Sequence, residues 1–446
     1  MTVLKLLTWV RRQPALHAIS RLLLPHSIRV DAIHKAALKA SEATRFPRTA
    51  NWAKPLQTPV GVPQAKNAQH QGLNVFGYLR GQFGLAESAR AYIRALMEAG
   101  TPLALIDLDL DLPHGREDDS LRQHLGEIAP YAVSLIFVNP DYFEQALKQL
   151  GEDRLKHRYL IACWFWELEE IPSSWLPIID QVDEILVASS FVEEAFRRVT
   201  QKPILRVPLP MGELRASTLT RADFGLEDDT FIFLCTFDFN SWVARKNPQA
   251  VIEAFKLAFP SDPSVRLLLK TTNGFRHAEV FQRFLGEAAS DPRIIVSDDL
   301  IEGAHIGALQ RCCDAYVSLH RAEGFGLGMA ESMWLGKPVV ATGWSGNMEF
   351  MDAGSAAIVD YTLELVGDDE YPHEAGARWA VADVSQAAHC MRRLVDDPDF
   401  LKQLAAAGTR RVQEVLSPQR CAGLINARIA DVVAGKAMPN GGNGNA

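Results

Sequence analysis

Long hydrophobic runs are absent from this chain of 446 residues, and none of its apolar stretches has the roughly 18 residues that a membrane-spanning helix needs. Cysteine is scarce as well. The six cysteines are scattered without metal-type or disulfide-type spacing, which favours a reducing, cytoplasmic compartment. With 48% hydrophobic and 22% charged residues, the composition is that of a soluble globular protein long enough for two cores.

Positive charge is concentrated at the N-terminus. Residues 1–70 contain 11 of the 46 Lys and Arg residues but 2 of the 54 Asp and Glu residues, so this head carries +9 and the remainder −17. Apolar side chains recur at helical spacing over residues 3–10, with Lys5, Arg11 and Arg12 interleaved. Residues 1–50 are therefore expected to lie on an anionic membrane surface, at the inner face of the membrane, or to form a docking helix or a loosely ordered extension.

Two series of alternating strand-like and helical stretches follow the head. Such alternation is typical of parallel sheets covered on both faces, so we predict an α/β protein with two Rossmann-like domains facing a cleft. The predicted strands cover residues 74–79, 103–108, 134–138, 159–165, 184–188, 204–207, 231–237, 266–270, 294–296, 315–319, 339–342 and 357–359.

The expected domains follow from these series. Residues 1–70 form a basic helical extension and linker, residues 71–212 the first Rossmann-like domain, and residues 213–430 the second. The last helices of the second domain are candidates to cross back to the first. The tail, residues 431–446, is too rich in glycine and asparagine to order itself.

The most informative stretch is a strand, a glycine turn and a helix over residues 315–335. The turn is Glu323-Gly324-Phe325-Gly326, and a second glutamate, Glu331, follows eight residues after the first. The free amides and positive dipole end of the helix form an anion site. Carboxylates beside an anion are better explained by hydroxyl groups, from which they accept hydrogen bonds strongly. A nucleotide sugar combines both groups.

A second element lies between a predicted strand and an amphipathic helix. It runs from Asp238 to Pro248 and contains Arg245 and Lys246. Cations at a helix start oppose the helix dipole, so a purely structural role explains them poorly. Lysine is a suitable partner for a leaving diphosphate.

Together these motifs resemble the retaining, GT-B-fold glycosyltransferases of group 1, also called family four. The resemblance extends over residues 74–430 and is strongest over residues 231–350. It implies that Glu323 faces the donor sugar, that Glu331 holds the ribose, and that the amides of Phe325, Gly326 and Leu327 hold the diphosphate.

The resemblance also implies that Lys246 binds the donor phosphates, with Arg245 beside it. The family often has an arginine six residues before this lysine, where this chain has Asn240. Arg321 is the first candidate to supply that charge and His320 the second. A packed or capping residue is the alternative for His320.

The first domain has a glycine-rich loop at its first strand–helix junction, with Gly81, Gly84 and Glu87. It resembles the family's loop that approaches donor phosphate and acceptor. Trp166 and Glu167 follow a strand of the same domain and are candidates for the acceptor site, although core packing explains the tryptophan equally well.

Two further features remain. Asn347, in a loop after the strand at 339–342, is a candidate donor contact or a helix cap. Asp107, Asp109 and Asp111 spell the acidic pattern that other glycosyltransferases use for manganese. We interpret them as a solvated strand end, and we expect neither a metal nor another cofactor.

The predicted function is transfer of a sugar, with mannose one candidate, from a nucleoside diphosphate sugar to a glycan or lipid-linked acceptor in surface polysaccharide or lipopolysaccharide assembly. The anomeric configuration is retained, as the resemblance implies. No nucleic acid partner is expected. A non-catalytic sugar-binding or assembly subunit, and a nucleotide-sugar epimerase of the same fold, are the alternatives.

Overall fold

Two parallel six-stranded sheets follow one another along the chain. The computed structural model describes residues 26–54, 56, 72–112, 115–212, 216–372 and 376–436. The first described helix is α1 (His26–Ala43). The predicted interfacial segment before residue 26 and the tail from residue 437 lie outside the described residues.

The first sheet has the strand order β2-β1-β3-β4-β5-β6, and its neighbours pair in parallel. Runs such as Leu73–Gly77 and Val133–Phe137 are buried along their whole length, because helices cover both faces of the sheet. The strands are β1 (Leu73–Gly77), β2 (Leu103–Asp107), β3 (Val133–Phe137), β4 (Tyr159–Cys163), β5 (Glu184–Val187) and β6 (Ile204–Arg206). The helices are α2 (Gly84–Glu98), α3 (Pro140–Leu150), α4 (Glu152–Leu155), α5 (Leu176–Ile179) and α6 (Ser190–Arg197).

The second sheet has the order β12-β11-β10-β7-β8-β9, again parallel. Its strands are β7 (Phe231–Asp238), β8 (Val265–Thr272), β9 (Ile294–Asp298), β10 (Ala315–Ser318), β11 (Val339–Thr342) and β12 (Ala357–Val359). Its helices are α7 (Val243–Lys246), α8 (Pro248–Ala258), α9 (Ala278–Ala288), α10 (Gly303–Cys312) and α11 (Leu327–Trp334). All twelve predicted strands are present to within two residues, and the expected α/β class with two Rossmann-like domains is confirmed.

An antiparallel hairpin follows the second sheet and was not predicted. It consists of β13 (Tyr361–Leu365) and β14 (Arg378–Ala382). Three helices then end the described chain: α12 (Val384–Asp396), α13 (Pro398–Val415) and α14 (Pro418–Val433). Helix α14 packs on α2 of the first domain. Arg428 of α14 also forms a buried ion pair at 2.8 Å with Glu184, the first residue of β5.

Residues 37–52 pack against the second domain. Ser41 donates to the Asp298 carboxylate at 2.5 Å, and Arg48 pairs with Asp299 at 2.6 Å. Phe46 is 5% exposed and packs edge-on against Phe224. These contacts support docking on the second domain, and not a membrane-surface position, for residues 37–52. Within the described ranges, no helix is both long and apolar enough to cross a membrane.

Candidate functional site

A glycine turn joins β10 to α11 and carries Glu323. Gly326, the residue before the helix, has φ +96°, which is accessible to glycine but strained for other residues. A side chain at Gly324 would lie 2.9 Å from the carbonyl oxygen of Trp166 in the first domain. The amides of Leu327 and Gly328 open the helix and have no intrahelical acceptor. The turn is therefore a candidate anion site, and the opposite domain faces it closely.

The backbone of Glu323 is fixed by the loop that follows β11. Its amide donates to Ser345 Oγ at 2.8 Å, and its carbonyl accepts from the Gly346 amide at 2.8 Å. Ser345 has φ 78° and ψ −148°, a region that is essentially restricted to glycine. A strained serine is thus held where it supports the first glutamate of the motif.

Two cations of α7 bind the Glu323 carboxylate. Lys246 Nζ donates to Oε1, and Arg245 Nη1 lies 3.2 Å from Oε2. Arg245 also donates to the Ala322 carbonyl at 2.8 Å and is 4% exposed. Burial alone would raise the pKa of Glu323, but Lys246 and Arg245 lower it to about 2. This residue is a carboxylate at every physiological pH.

Asn247 explains how the cations are directed at Glu323. It adopts the left-handed conformation (φ 49°, ψ 50°), which asparagine tolerates better than most residues, and Pro248 then begins α8. Its side-chain amide donates to the Leu319 carbonyl at 3.0 Å, at the end of β10. The Arg-Lys-Asn-Pro sequence is thus a turn that fastens both cations beside the glycine turn.

The cation that joins Lys246 at Glu323 is Arg245. Arg321, the first candidate for the charge missing at Asn240, has other partners. Arg321 lies over the Trp379 ring at 4.9 Å and 3.7 Å from Glu370, so its side chain belongs to the hairpin region. Asn240, in the place of the family's usual arginine, hydrogen-bonds His277 at 2.8 Å. These contacts place Arg321 against the hairpin region, and its role at the donor phosphates stays a prediction.

Glu331 lies on α11, half-buried, and accepts a hydrogen bond from Gln310 at 3.0 Å. Burial raises the pKa of Glu331 to about 7, and the negative charge of Glu87 in the first domain adds to this effect. Glu87 itself is ionised. Burial opposes its charge, but Arg94 and Arg90 lower the pKa of Glu87 to about 2. Two predicted site residues from opposite domains therefore interact across the cleft.

The glycine-rich loop of the first domain is held by Arg90, a 2% exposed residue. Its guanidinium donates to the carbonyls of Leu79 and Gly81 at 3.1 and 2.7 Å. A side chain at Gly81 would lie 2.6 Å from the Phe83 ring, whereas Gly84 opens α2 with free space around it. Arg90 thus fixes the conformation of this loop.

Contacts between the domains surround the glycine turn. Ser189 donates to the Gly324 carbonyl at 2.9 Å. Glu167 accepts from the Tyr371 hydroxyl at 2.7 Å and lies 3.8 Å from Arg245. Trp166, by contrast, is 4% exposed and donates to the Glu170 carbonyl at 2.8 Å. Of the two acceptor candidates, Glu167 lies in the cleft and the Trp166 ring is core.

His320 and Asn347 have structural positions. His320 is fully buried, and its ring hydrogen-bonds Ser318 and Asn347 at 3.0 Å each. Asn347 is also fully buried and donates to the Thr342 carbonyl at 3.0 Å. Burial lowers the pKa of His320. Neither side chain is available to a ligand in this arrangement; together they hold the loop that supports Glu323.

The acidic triplet is partly neutralised. Arg116 lies 2.5 Å from Asp107 and also pairs with Asp109. In the part of the chain that the structure describes, no group of His, Cys, Asp and Glu side chains forms a metal-binding cluster.

Sequence reasoning missed Ser345, Tyr371 and Trp242. Ser345 lies 22 residues after Glu323, in the loop that contains Asn347, and Tyr371 lies 204 residues after Glu167, so no local pattern indicates these contacts. Trp242 lies within the Arg-Lys element, but the sequence gives no signal for its φ of 60° and its 43% exposure.

Comparison with solved structures identifies the architecture. Sucrose-phosphate synthase from Thermosynechococcus elongatus aligns with a TM-score of 0.59 and 16% identity, over 82% of this chain and 100% of that chain. HepE from Anabaena, in complex with UDP and glucose, aligns with a TM-score of 0.57 and 15% identity, over 82% and 100%. At such identities the likeness defines the fold, which is the predicted GT-B arrangement of two Rossmann-like domains.

The second domain has a family match. Residues 230–397 match the family Glycosyl transferases group 1. Trehalose synthase from Rubrobacter xylanophilus is 22% identical over 43% of this chain and 41% of the relative. Trehalose synthase from Pyrococcus horikoshii is 29% identical over 37% of this chain and 36% of the relative. The match thus spans about two fifths of the length of these curated relatives.

Proposed function

We propose that this protein transfers a sugar from a nucleoside diphosphate sugar to an acceptor hydroxyl, with retention of the anomeric configuration. The observation that carries the proposal is the contact of Lys246 and Arg245 with Glu323 beside the N-terminus of α11. A full cation pair, a helix N-terminus and a fixed carboxylate suit a diphosphate joined to a sugar. The group 1 match of residues 230–397 supports the same activity.

Each part of the donor has a partner in this arrangement. The diphosphate is assigned to Lys246 and to the amides of Phe325, Gly326 and Leu327. Lys246 turns from Glu323 towards the phosphate, and Arg245 keeps the carboxylate paired. Glu323 then accepts hydrogen bonds from the transferred sugar, and Glu331 accepts from the ribose hydroxyls.

The reaction separates charge. The bond between the anomeric carbon and the phosphate oxygen breaks, and the bond to the acceptor oxygen forms on the same face of the sugar. The acceptor proton passes to the leaving phosphate oxygen, so atoms and charge balance. Lys246 and the helix amides stabilise the negative charge that develops on the diphosphate, and such preorganised groups supply a large part of catalysis.

The acceptor is proposed to be a glycan or a lipid-linked sugar. Residues 1–25 contain Lys5, Arg11, Arg12 and Arg21 and no Asp or Glu, and this charge of +4 supports a lipid-linked acceptor at an anionic membrane surface. Since residues 37–52 pack on the second domain, membrane contact is assigned to residues 1–25. Removing residues 1–25 is expected to weaken co-sedimentation with phosphatidylglycerol-containing liposomes, compared with the intact chain.

The experiment that tests the function is a donor screen. UDP-, GDP-, ADP- and dTDP-sugars, GDP-mannose among them, are tested for stabilisation of the protein by thermal shift, since a bound ligand raises stability by mass action. Release of nucleoside diphosphate is then measured with and without glycoside acceptors. Transfer supports the proposal. Conversion of the donor without acceptor to an epimeric sugar supports the epimerase alternative, and binding without turnover supports a non-catalytic subunit.

A further inference from the structure

Trp242 combines an exposed aromatic ring with a strained backbone at the entrance to the Arg245–Lys246 turn. Its φ of 60° and ψ of 98° lie outside the left-handed helical minimum, in a region where a bulky side chain is an outlier. Its side chain is nevertheless 43% exposed, so packing of the ring into a core does not explain the conformation.

The Trp242 backbone belongs to the turn that positions the two cations. Its carbonyl accepts from the amides of Arg245 at 3.1 Å and Lys246 at 3.3 Å. The strain at Trp242 is therefore coupled to the arrangement of the cation pair, and the same conformation presents the indole beside that pair.

Aromatic and polar side chains surround the ring. The Trp242 and Tyr371 ring centroids lie 6.0 Å apart, and the Tyr371 hydroxyl donates to Glu167 of the first domain at 2.7 Å. Arg245 lies over the Tyr371 ring at 5.9 Å. The indole supplies an apolar platform, and the Glu167 carboxylate, held by Tyr371, supplies a polar group that can orient a hydroxyl-bearing ring.

We infer that Trp242 forms the platform of the acceptor-sugar subsite, with Glu167 as its hydroxyl-binding partner and the buried Tyr371 holding Glu167 in place. This inference rests on the proposed function. The acceptor is preferred over the donor sugar because Trp242 connects, through Tyr371, to Glu167 of the first domain, whereas Lys246 and Glu323 form the donor side. The class of ligand is a pyranose ring with one apolar face.

The test uses the full-length protein, the donor found by the screen, and the 4-nitrophenyl α- and β-glycosides of glucose, galactose, mannose and N-acetylglucosamine as acceptors. Trp242→Gly removes the ring and accommodates the positive φ, so the turn keeps its conformation. It is expected to raise the acceptor KM about tenfold. Donor KM and acceptor-independent donor hydrolysis are measured in the same variant as reports on the turn, and the change in acceptor KM is expected to exceed any change in either. Trp242→Phe is expected to restore most of the loss, and Leu257→Ala, at another exposed apolar residue, is the matched control.

The outcomes separate this inference from the proposed function. A wild-type protein that cleaves no donor contradicts the proposed function. If the wild type transfers sugar but Trp242→Gly has an unchanged acceptor KM, or changes donor KM instead, the platform is overturned. It is also overturned if the wild type cleaves donor but none of these glycosides accelerates the reaction. If Trp242→Phe and Trp242→Gly both lose donor hydrolysis, Trp242 serves the turn alone, and the platform is again overturned.

Discussion

Replacing Glu331 with glutamine tests the electrostatics of the site. Burial raises the pKa of Glu331 from 4.5 to about 7, and Glu87 across the cleft adds to the effect. A carboxyl group whose pKa is raised by folding destabilises the protein as pH rises, because the unfolded chain ionises first. This loss of folding stability begins near pH 4.5, the pKa of Glu331 in the unfolded chain, and levels off above pH 7.

The magnitude follows from the two pKa values. At pH 8 the buried charge is expected to destabilise the wild type by roughly 3 kcal/mol, and at pH 5.5 by roughly 1 kcal/mol. Glu331→Gln carries no charge at either pH. It is therefore expected to be more stable than the wild type, and its advantage is expected to grow by about 2 kcal/mol between pH 5.5 and pH 8. Constant differences between the two side chains cancel in this comparison.

The assay is urea denaturation of both proteins at the two pH values, followed by fluorescence. Calorimetric titration with the donor from the screen complements it. Donor affinity of the wild type is expected to rise up to tenfold per pH unit below pH 7, because the ribose requires the carboxylate, and that of the variant is expected to be weak and flat. An equal stability difference at both pH values would refute the reasoning.

Three further predictions test separate contacts. Arg245→Ala is expected to lower donor turnover more than a hundredfold, because it removes a buried charge partner of Glu323. Arg321→Ala is expected to lower donor turnover less than tenfold. The reverse order in a turnover assay would make Arg321 the second cation of the donor site. Phe46→Ala is expected to destabilise the second domain by about 3 kcal/mol in urea unfolding, since the ring is buried there, and a change below about 0.5 kcal/mol would show that the segment does not dock. Gly324→Ala places a methyl group 2.9 Å from the Trp166 carbonyl oxygen. The variant is expected to have lower turnover with little change in Tm. Wild-type turnover would show that the domains need not approach this closely.

The sheets were predictable because their signals are local. Each strand is a short apolar run that is buried on both faces, and the glycine turn with its two glutamates is continuous in sequence. The hairpin was missed because half of its first strand is exposed, as with Leu365 at 68% exposure, so it has no apolar run. The sequence does not reveal that residues 37–52 dock on the second domain. Ser41 contacts Asp298 and Arg48 contacts Asp299, and these partners lie some 250 residues away.

Side-chain direction was the harder part of the site. Arg321 and Arg245 are both arginines close to the motif, and no sequence pattern tells which of them faces Glu323. The hairpin decides it, because Trp379 and Glu370 engage Arg321. Trp166 and Trp242 pose the same problem: one ring packs in the core at 4% exposure, and the other is 43% exposed in the cleft.

The central claim concerns the cation that faces Glu323, and the most direct measurement is donor cleavage by Lys246→Ala. The rate of nucleoside diphosphate release is compared with that of the wild type and of Lys256→Ala, a lysine in the last turn of α8. With Tm held as the measure of folding, Lys246→Ala is predicted to lose at least a thousandfold in rate, about 4 kcal/mol of transition-state stabilisation, and Lys256→Ala to remain active. A folded Lys246→Ala protein that cleaves donor at the wild-type rate would contradict the account.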